Sequence, residues 1–276
     1  MWVSSDSTGN YLYVLDSESP AYNGTTDLNG SLAVYSIDGS TGRLQIVPNQ
    51  SIKNAAGQQL NYFEVGPSPT MFRVGGCVYT LDSGDQTIYP YGIGSGGQLV
   101  VQANATTNTG AQNLTSINVS GSNVYLTDAG KNQILPYTQG SGCSLSVQAD
   151  GIVNNLATTS DPVYSIRFKN FLYVLNHGNT SNANNANSTI SAFVIQTTGA
   201  LTPISDAQNP YSVGNGPICM AEDPSSQYIY TSNSNDGSVT GKFINQNTGQ
   251  LSALSRGSNF SASGLASCLA ISGNVD

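Results

Sequence analysis

The sequence predicts an all-β fold, a β-propeller of four-stranded antiparallel blades, on three observations. A strand built around a central tyrosine and ending in Asp or Asn recurs five times. Its tyrosines, Tyr13, Tyr79, Tyr125, Tyr173 and Tyr230, lie about 54 residues apart on average, the length of a four-stranded blade with generous loops. Each copy has one apolar strand before it, and another after it that closes in a glycine turn.

The tyrosine strands are Tyr11-Leu-Tyr-Val-Leu-Asp16, Cys77-Val-Tyr-Thr-Leu-Asp82, Asn123-Val-Tyr-Leu-Thr-Asp128, Phe171-Leu-Tyr-Val-Leu-Asn176 and Tyr228-Ile-Tyr-Thr-Ser-Asn233. A third strand follows in each repeat, at Ser31 to Ile37, Thr87 to Ile93, Gln133 to Thr138, Thr189 to Ile195 and Ser238 to Ile244. All five alternate or run apolar, as half-buried or buried strands do. The turns into the outer strand are Thr41-Gly42-Arg-Leu, Gly96-Gly97-Gln-Leu, Gly142-Cys-Ser-Leu, Thr198-Gly199-Ala-Leu and Thr248-Gly249-Gln-Leu, with glycine where a tight hairpin needs positive φ.

The innermost strand precedes each tyrosine strand, as in Pro69-Thr-Met-Phe-Arg-Val74, Thr115-Ser-Ile-Asn-Val119, Val163-Tyr-Ser-Ile-Arg-Phe168 and Ile218-Cys-Met-Ala221. Met1 to Asp6 supplies it for the first repeat, reading as strand rather than leader, so upstream sequence is expected. Cys268-Leu-Ala-Ile-Ser-Gly273 repeats it a sixth time. A closed ring of five leaves that copy redundant. The prediction is therefore five complete repeats plus one inner strand, an arc of a larger ring. It is a single propeller domain with blades at 1–60, 61–110, 111–158, 159–212 and 213–262 and a partial one at 263–276. An open arc exposes strand edges that invite pairing with another chain.

Only 9% of residues are charged, against roughly 25% in an average domain, so amides and hydroxyls must wet the surface. That composition suits an extracytoplasmic protein: periplasmic, cell-surface or secreted. The net charge of −8 leaves no basic stripe for phosphates or anionic lipid, which argues against a nucleic-acid partner. No stretch is long and apolar enough for a membrane span. The four cysteines form no CxxC pair and have no neighbouring histidine, so zinc is not expected, and with no Gly-rich phosphate loop or dense acidic metal loop in the sequence no other metal or cofactor is expected either. Cys219 and Cys268 occupy equivalent places in successive repeats. They are read either as a disulfide between adjacent inner strands or as small buried hydrophobes.

Essentially the whole chain resembles the lactonase-like, YVTN-type seven-bladed propellers, which include 6-phosphogluconolactonase and carboxymuconate cyclase. The specific marks are Tyr11-Leu-Tyr-Val14, Asp223-Pro-Ser-Ser-Gln-Tyr-Ile-Tyr230 and Ile37-Asp-Gly-Ser-Thr-Gly-Arg-Leu44. It looks most like exported, Asn- and Ser-rich bacterial members. The resemblance implies a seven-bladed ring of about 380 residues, so that roughly two blades lie outside these 276. It also implies a few His, Glu and Arg side chains clustered in or over the channel. No such set is matched residue by residue here.

Antiparallel strands bring the loops between second and third strands out on the same face as the connections between blades. The long segments 17–30, 48–66, 177–188 and 207–217 all fall there, which reads as a binding face carrying Tyr22, Asp27, His177 and Asn179, or as insertions that a surface tolerates. His177, the sole histidine, has no carboxylate near it in sequence and reads as a solvated loop residue more readily than as a general base. Asp16, Asp82, Asp128, Asn176 and Asn233 end the tyrosine strands, either capping the strand exits or ringing a cation. Arg73 and Arg167 each stand six residues before a repeat tyrosine, beside the channel, with Glu222 in a comparable place. They could bind an anionic sugar or carboxylate, on the face opposite His177.

The leading functional reading is a non-catalytic propeller presenting its loop-rich face to a protein or glycan. The alternatives are a sugar-lactone hydrolase using Arg73 or Arg167 for an anionic substrate group, with Glu222 and His177 as the other catalytic candidates, and a structural protein that self-associates through open blade edges.

Overall fold

A computed structural model of the chain describes residues 2–6, 8–17, 29–48, 57, 59–102, 105–148, 151–154, 160–178 and 188–271. The fold is a β-propeller of antiparallel blades. Blade 1 contains β1 (Trp2–Ser5), β2 (Tyr11–Asp16), β3 (Ser31–Ile37), β4 (Leu44–Ile46) and β5 (Tyr62–Glu64). Blade 2 contains β6 (Pro69–Val74), β7 (Cys77–Asp82), β8 (Thr87–Ile93), β9 (Leu99–Val101) and β10 (Thr107–Asn108). Blade 3 contains β11 (Leu114–Ser120), β12 (Asn123–Asp128), β13 (Gln133–Gln139), β14 (Leu145–Val147) and β15 (Val153–Asn154). Blade 4 contains β16 (Pro162–Phe168), β17 (Phe171–Asn176), β18 (Thr189–Ile195), β19 (Leu201–Pro203) and β20 (Tyr211–Ser212). Blade 5 contains β21 (Pro217–Glu222), β22 (Tyr228–Asn233), β23 (Ser238–Ile244), β24 (Leu251–Ala253) and β25 (Asn259–Ser261).

Each blade has four strand positions, but the outermost is filled by two short pieces that both pair with the third strand, as β19 and β20 do with β18. The segments 48–66 and 207–217 are therefore not wholly connections. Tyr62–Glu64 and Tyr211–Ser212 complete the blade behind them, and blade 1 runs to Glu64 rather than ending near residue 60. Residues 268–271 carry the inner-strand sequence yet lie in no strand.

The chain divides into two compact units, Met1–Val124 with Tyr137–Val147, and Tyr125–Pro136 with Gln148–Asp276. In the first, Tyr13, Leu15, Leu32, Val34, Phe63, Val78, Tyr91 and Leu99 form one apolar cluster, and the inner strands β1, β6 and β11 lie in succession. In the second, Phe171, Tyr173, Leu175, Ile190, Ile204 and Tyr211 pack against Met220, Ile229, Ile244 and Leu251, and β16 neighbours β21.

One junction recurs between successive blades: the glycine turn of a blade lies on the start of the tyrosine strand before it. A Cβ added at Gly97 would meet the Tyr11 ring at 2.3 Å, and one at Gly249 would meet Phe171 at 2.4 Å, so only glycine fits these positive-φ turns. The Tyr125 hydroxyl donates to the Gly199 carbonyl at 2.8 Å and the Tyr173 hydroxyl to the Gly249 carbonyl at 2.9 Å. Between blades 2 and 3 the same two positions are cysteines, and Cys77 and Cys143 are joined.

Candidate functional site

Arg167 and Glu222 stand near the ends of the neighbouring inner strands β16 and β21, in register with Leu172 and Ile229. The exposed Arg167 is anchored by its own hairpin, donating Nη1–H to the Lys169 carbonyl at 2.5 Å. Lys169 turns away, with Nζ 4.9 Å from the centre of the Phe168 ring and 3.3 Å from Gln246 Oε1. Burial pushes the Glu222 carboxyl above the usual glutamate range and Asp223 adds to it; the Ser226 hydroxyl and the Arg167 guanidinium pull the other way without reversing it. Burial also lifts the Tyr125 hydroxyl to about 12, Arg167 opposing, and raises Tyr173, with Tyr211 and Glu222 adding to it.

The next residue behaves oppositely. Burial raises the Asp223 carboxyl, but donors from Ser225, Gln227 and Tyr228 outweigh it and hold the group low. Asp223 is thus a turn cap, committed to the Pro224 to Gln227 bend. Glu222 is left as a carboxyl whose proton is held more tightly than an ordinary glutamate's, on the strand beside that of Arg167. Such a pair can bind an anionic or carbonyl oxygen and take a proton from water.

His177 lies at the other end of the strand. Arg167 aligns with Leu172 whereas His177 follows Asn176, roughly 16 Å further along, so the two belong to opposite faces. Contrary to the expectation of a solvated loop residue, the His177 side chain is 17% exposed, and its Nδ1 stands 3.8 Å from Asp161 Oδ2. The antiparallel pair Pro162↔Asn176 explains this: residues flanking a terminal rung meet across it. The backbone ties them further, with His177 N–H donating to the Asp161 carbonyl at 2.9 Å and Gly178 N–H to the Ser160 carbonyl at 3.1 Å. Arg73, on β6, is in register with Tyr79 of β7. Tyr22, Asp27 and Asn179 lie outside the described residues.

Asp82, Asn176 and Asn233, at strand ends, are engaged by neighbouring backbone and hydroxyl groups. Asp82 Oδ2 accepts from Ser68 N–H at 2.8 Å, and Oδ1 accepts from the Gly84 and Asp85 N–H groups. Asn233 Nδ2 donates to Ser238 and Thr240 hydroxyls, while Asn176 Nδ2 donates to those of Thr189 and Ser191. Among the described residues no three His, Cys, Asp or Glu side chains gather as a metal site. Cys219 is joined to Cys268. The pair Cys77 and Cys143 escaped the sequence reading, although the junction rule would have revealed it: the turn of blade 3 must land on the residue that opens β7.

No protein-family model matches the chain, and no curated protein matches it. Solved structures do. A periplasmic gluconolactonase of Pseudomonas aeruginosa shares 16% identity at a TM-score of 0.58, over 94% of this chain and 83% of its own. A candidate 6-phosphogluconolactonase of Bacteroides uniformis shares 14% identity at 0.54, over 96% and 85%. A protein of unknown function from Desulfotomaculum acetoxidans shares 13% identity at 0.65, over 91% and 68%. At these identities the likeness is one of fold, a lactonase-like β-propeller.

Proposed function

We propose that the chain is a lactone hydrolase acting on sugar lactones, with Glu222 as general base and Arg167 as the oxygen-binding cation. The observation that carries this reading is the raised Glu222 carboxyl beside Arg167 on adjacent inner strands. Two of the similar structures are named for lactone hydrolysis, which supports the same substrate class. Ionised Glu222 takes a proton from water, whose oxygen bonds to the lactone carbonyl carbon. Arg167 stabilises the oxyanion; the ring C–O bond then breaks and the leaving alkoxide takes the proton back, giving the hydroxy acid. The Cys77–Cys143 and Cys219–Cys268 disulfides support an oxidising, extracytoplasmic location.

The test is base uptake during gluconolactone hydrolysis at constant pH. Because the base must be deprotonated, kcat/KM rises as pH climbs through the Glu222 pKa, with its acid limb above the ordinary value of 4.5. Glu222→Gln lowers kcat at least 10²-fold, the minimum expected for losing a general base, and abolishes that limb. Arg167→Ala acts on both KM and kcat. Hydrolysis no faster than buffer, or full activity in Glu222→Gln, sinks the assignment.

A further inference from the structure

The strand ends that carry Arg167 and Glu222 run into turns where side chains stand in place of glycine. The two-residue link after β16 opens with Lys169 at φ +49°, whereas the link after β11 in blade 3 opens with Gly121 at φ +60°. The turn after β21 repeats the turn after β1: Asp223 and Asp6 N–H donate to the Tyr228 and Tyr11 carbonyls, each at 3.0 Å. Its left-handed position is Ser226 at φ +57°, where blade 1 has Gly9 at φ +72°. Side chains such as lysine and serine avoid that region. Lys169 and Ser226 are thus held against a conformational preference, and what they touch supplies the reason.

Lys169 offers its carbonyl to Arg167 Nη1–H at 2.5 Å, and the Ser226 hydroxyl donates to the Glu222 carboxyl. A third side chain joins the two. Gln246 lies in the turn between β23 and β24, where blade 1 again has a glycine: Ile244-Asn245-Gln246 aligns with Ile37-Asp38-Gly39, and Ile244 and Ile37 N–H donate alike to the Gln227 and Asn10 carbonyls. Gln246 Oε1 accepts from Lys169 Nζ at 3.3 Å, while Nε2 donates to the Ser225 and Ser226 carbonyls at 3.2 and 3.3 Å. Only one setting of this amide fits, since the reverse would aim its N–H at an ammonium and its oxygen at two carbonyls. The Lys169 ammonium is steadied by the Phe168 ring, 4.9 Å away. The turn itself is fixed to blade 4, because the Tyr173 hydroxyl donates to the Gly249 carbonyl at 2.9 Å.

We propose that Gln246 and Lys169 are positioning residues for the Arg167 and Glu222 pair: the Gln246 amide ties the hairpin that holds Arg167 to the turn that holds Glu222, so that both groups are presented in one arrangement. The consequence for catalysis rests on the lactone-hydrolase reading. The tie itself is read without substrate. Neither residue takes a chemical step; each acts through the group that it holds.

Carboxyl-carbon NMR of Glu222, titrated against pH in the whole chain, tests the tie, with Glu222→Gln assigning the signal. Gln246→Met keeps the bulk of the side chain and removes its hydrogen bonds. The Ser226 hydroxyl is then no longer held on the ionised Glu222, an interaction that favours the charged form, so the titration moves to still higher pH. Arg167 and Asp223, the charged groups that act on this carboxyl, and Tyr173, which responds to it, are unaltered in the variant. In gluconolactone hydrolysis kcat/KM falls about tenfold in Gln246→Met and in Lys169→Gly, short of the roughly 10²-fold that a 1 Å misplacement can cost. Lys169→Gly copies Gly121 and melts close to the parent, because glycine accepts the positive φ, and Lys169→Arg, which keeps the cation, retains most of the rate. A Glu222 titration that stays in place in Gln246→Met overturns the proposal, whatever the rates show. So does a Lys169→Gly rate that falls only in step with melting temperature, the mark of a merely structural turn. A parent chain that hydrolyses nothing, with a titration that moves, sinks the catalytic reading and upholds the tie.

Discussion

Replacing Cys77 and Cys143 together by alanine lowers the unfolding free energy by about 4 kcal/mol, because the bond closes a 66-residue loop and constrains the unfolded chain. Both cysteines are buried, so the native state keeps its geometry without the cross-link. The companion replacement of Cys219 and Cys268 costs much less, although its 49-residue loop has nearly the same closure entropy. Cys268 sits in an exposed segment in no strand, and freeing it lets that segment gain entropy in the folded state too. Urea titration of the two double variants decides the matter. Equal losses would mean that residues 262–271 are held by more than the disulfide.

Tyr173→Ala costs about 4 kcal/mol, the usual range for emptying a fully buried aromatic site, because it opens a hole where Phe171, Tyr211 and Met220 meet. The hydroxyl is separable from the ring. Tyr173→Phe leaves the Gly249 carbonyl without its donor and costs about 1 kcal/mol. Tyr79→Phe is neutral or stabilising, since the Tyr79 hydroxyl is buried with no partner among the described residues. Thermal melts of the two Phe variants test the contrast; equal shifts would mean that the bond to Gly249 contributes nothing.

The tyrosine strands were legible to the residue, and β2, β7, β12, β17 and β22 match the predicted segments. Their signal is local: alternation, an aromatic centre and a turn-forming Asp or Asn at the exit. The outer strand was not, because pieces such as Thr107–Asn108 are too short to show a period. The Asp161 contact was missed for another reason. Asp161 and His177 are distant in sequence and meet only through the register of β16 with β17, so the histidine looked solitary. Arg167 and Glu222 were placed on inner strands by repeat alignment alone, whereas the burial that raises Glu222 is a property of the folded packing and leaves no mark in the local sequence.

The divided outer strand bears on how such a chain can change. The break falls at residues 47–61 in blade 1, but only at 102–106, 148–152 and 254–258 in blades 2, 3 and 5, while the flanking pieces hold the same rungs of the ladder. Length can therefore be added at one point of the periphery without shifting a register, and each break is a place where a foreign peptide can be grafted for display.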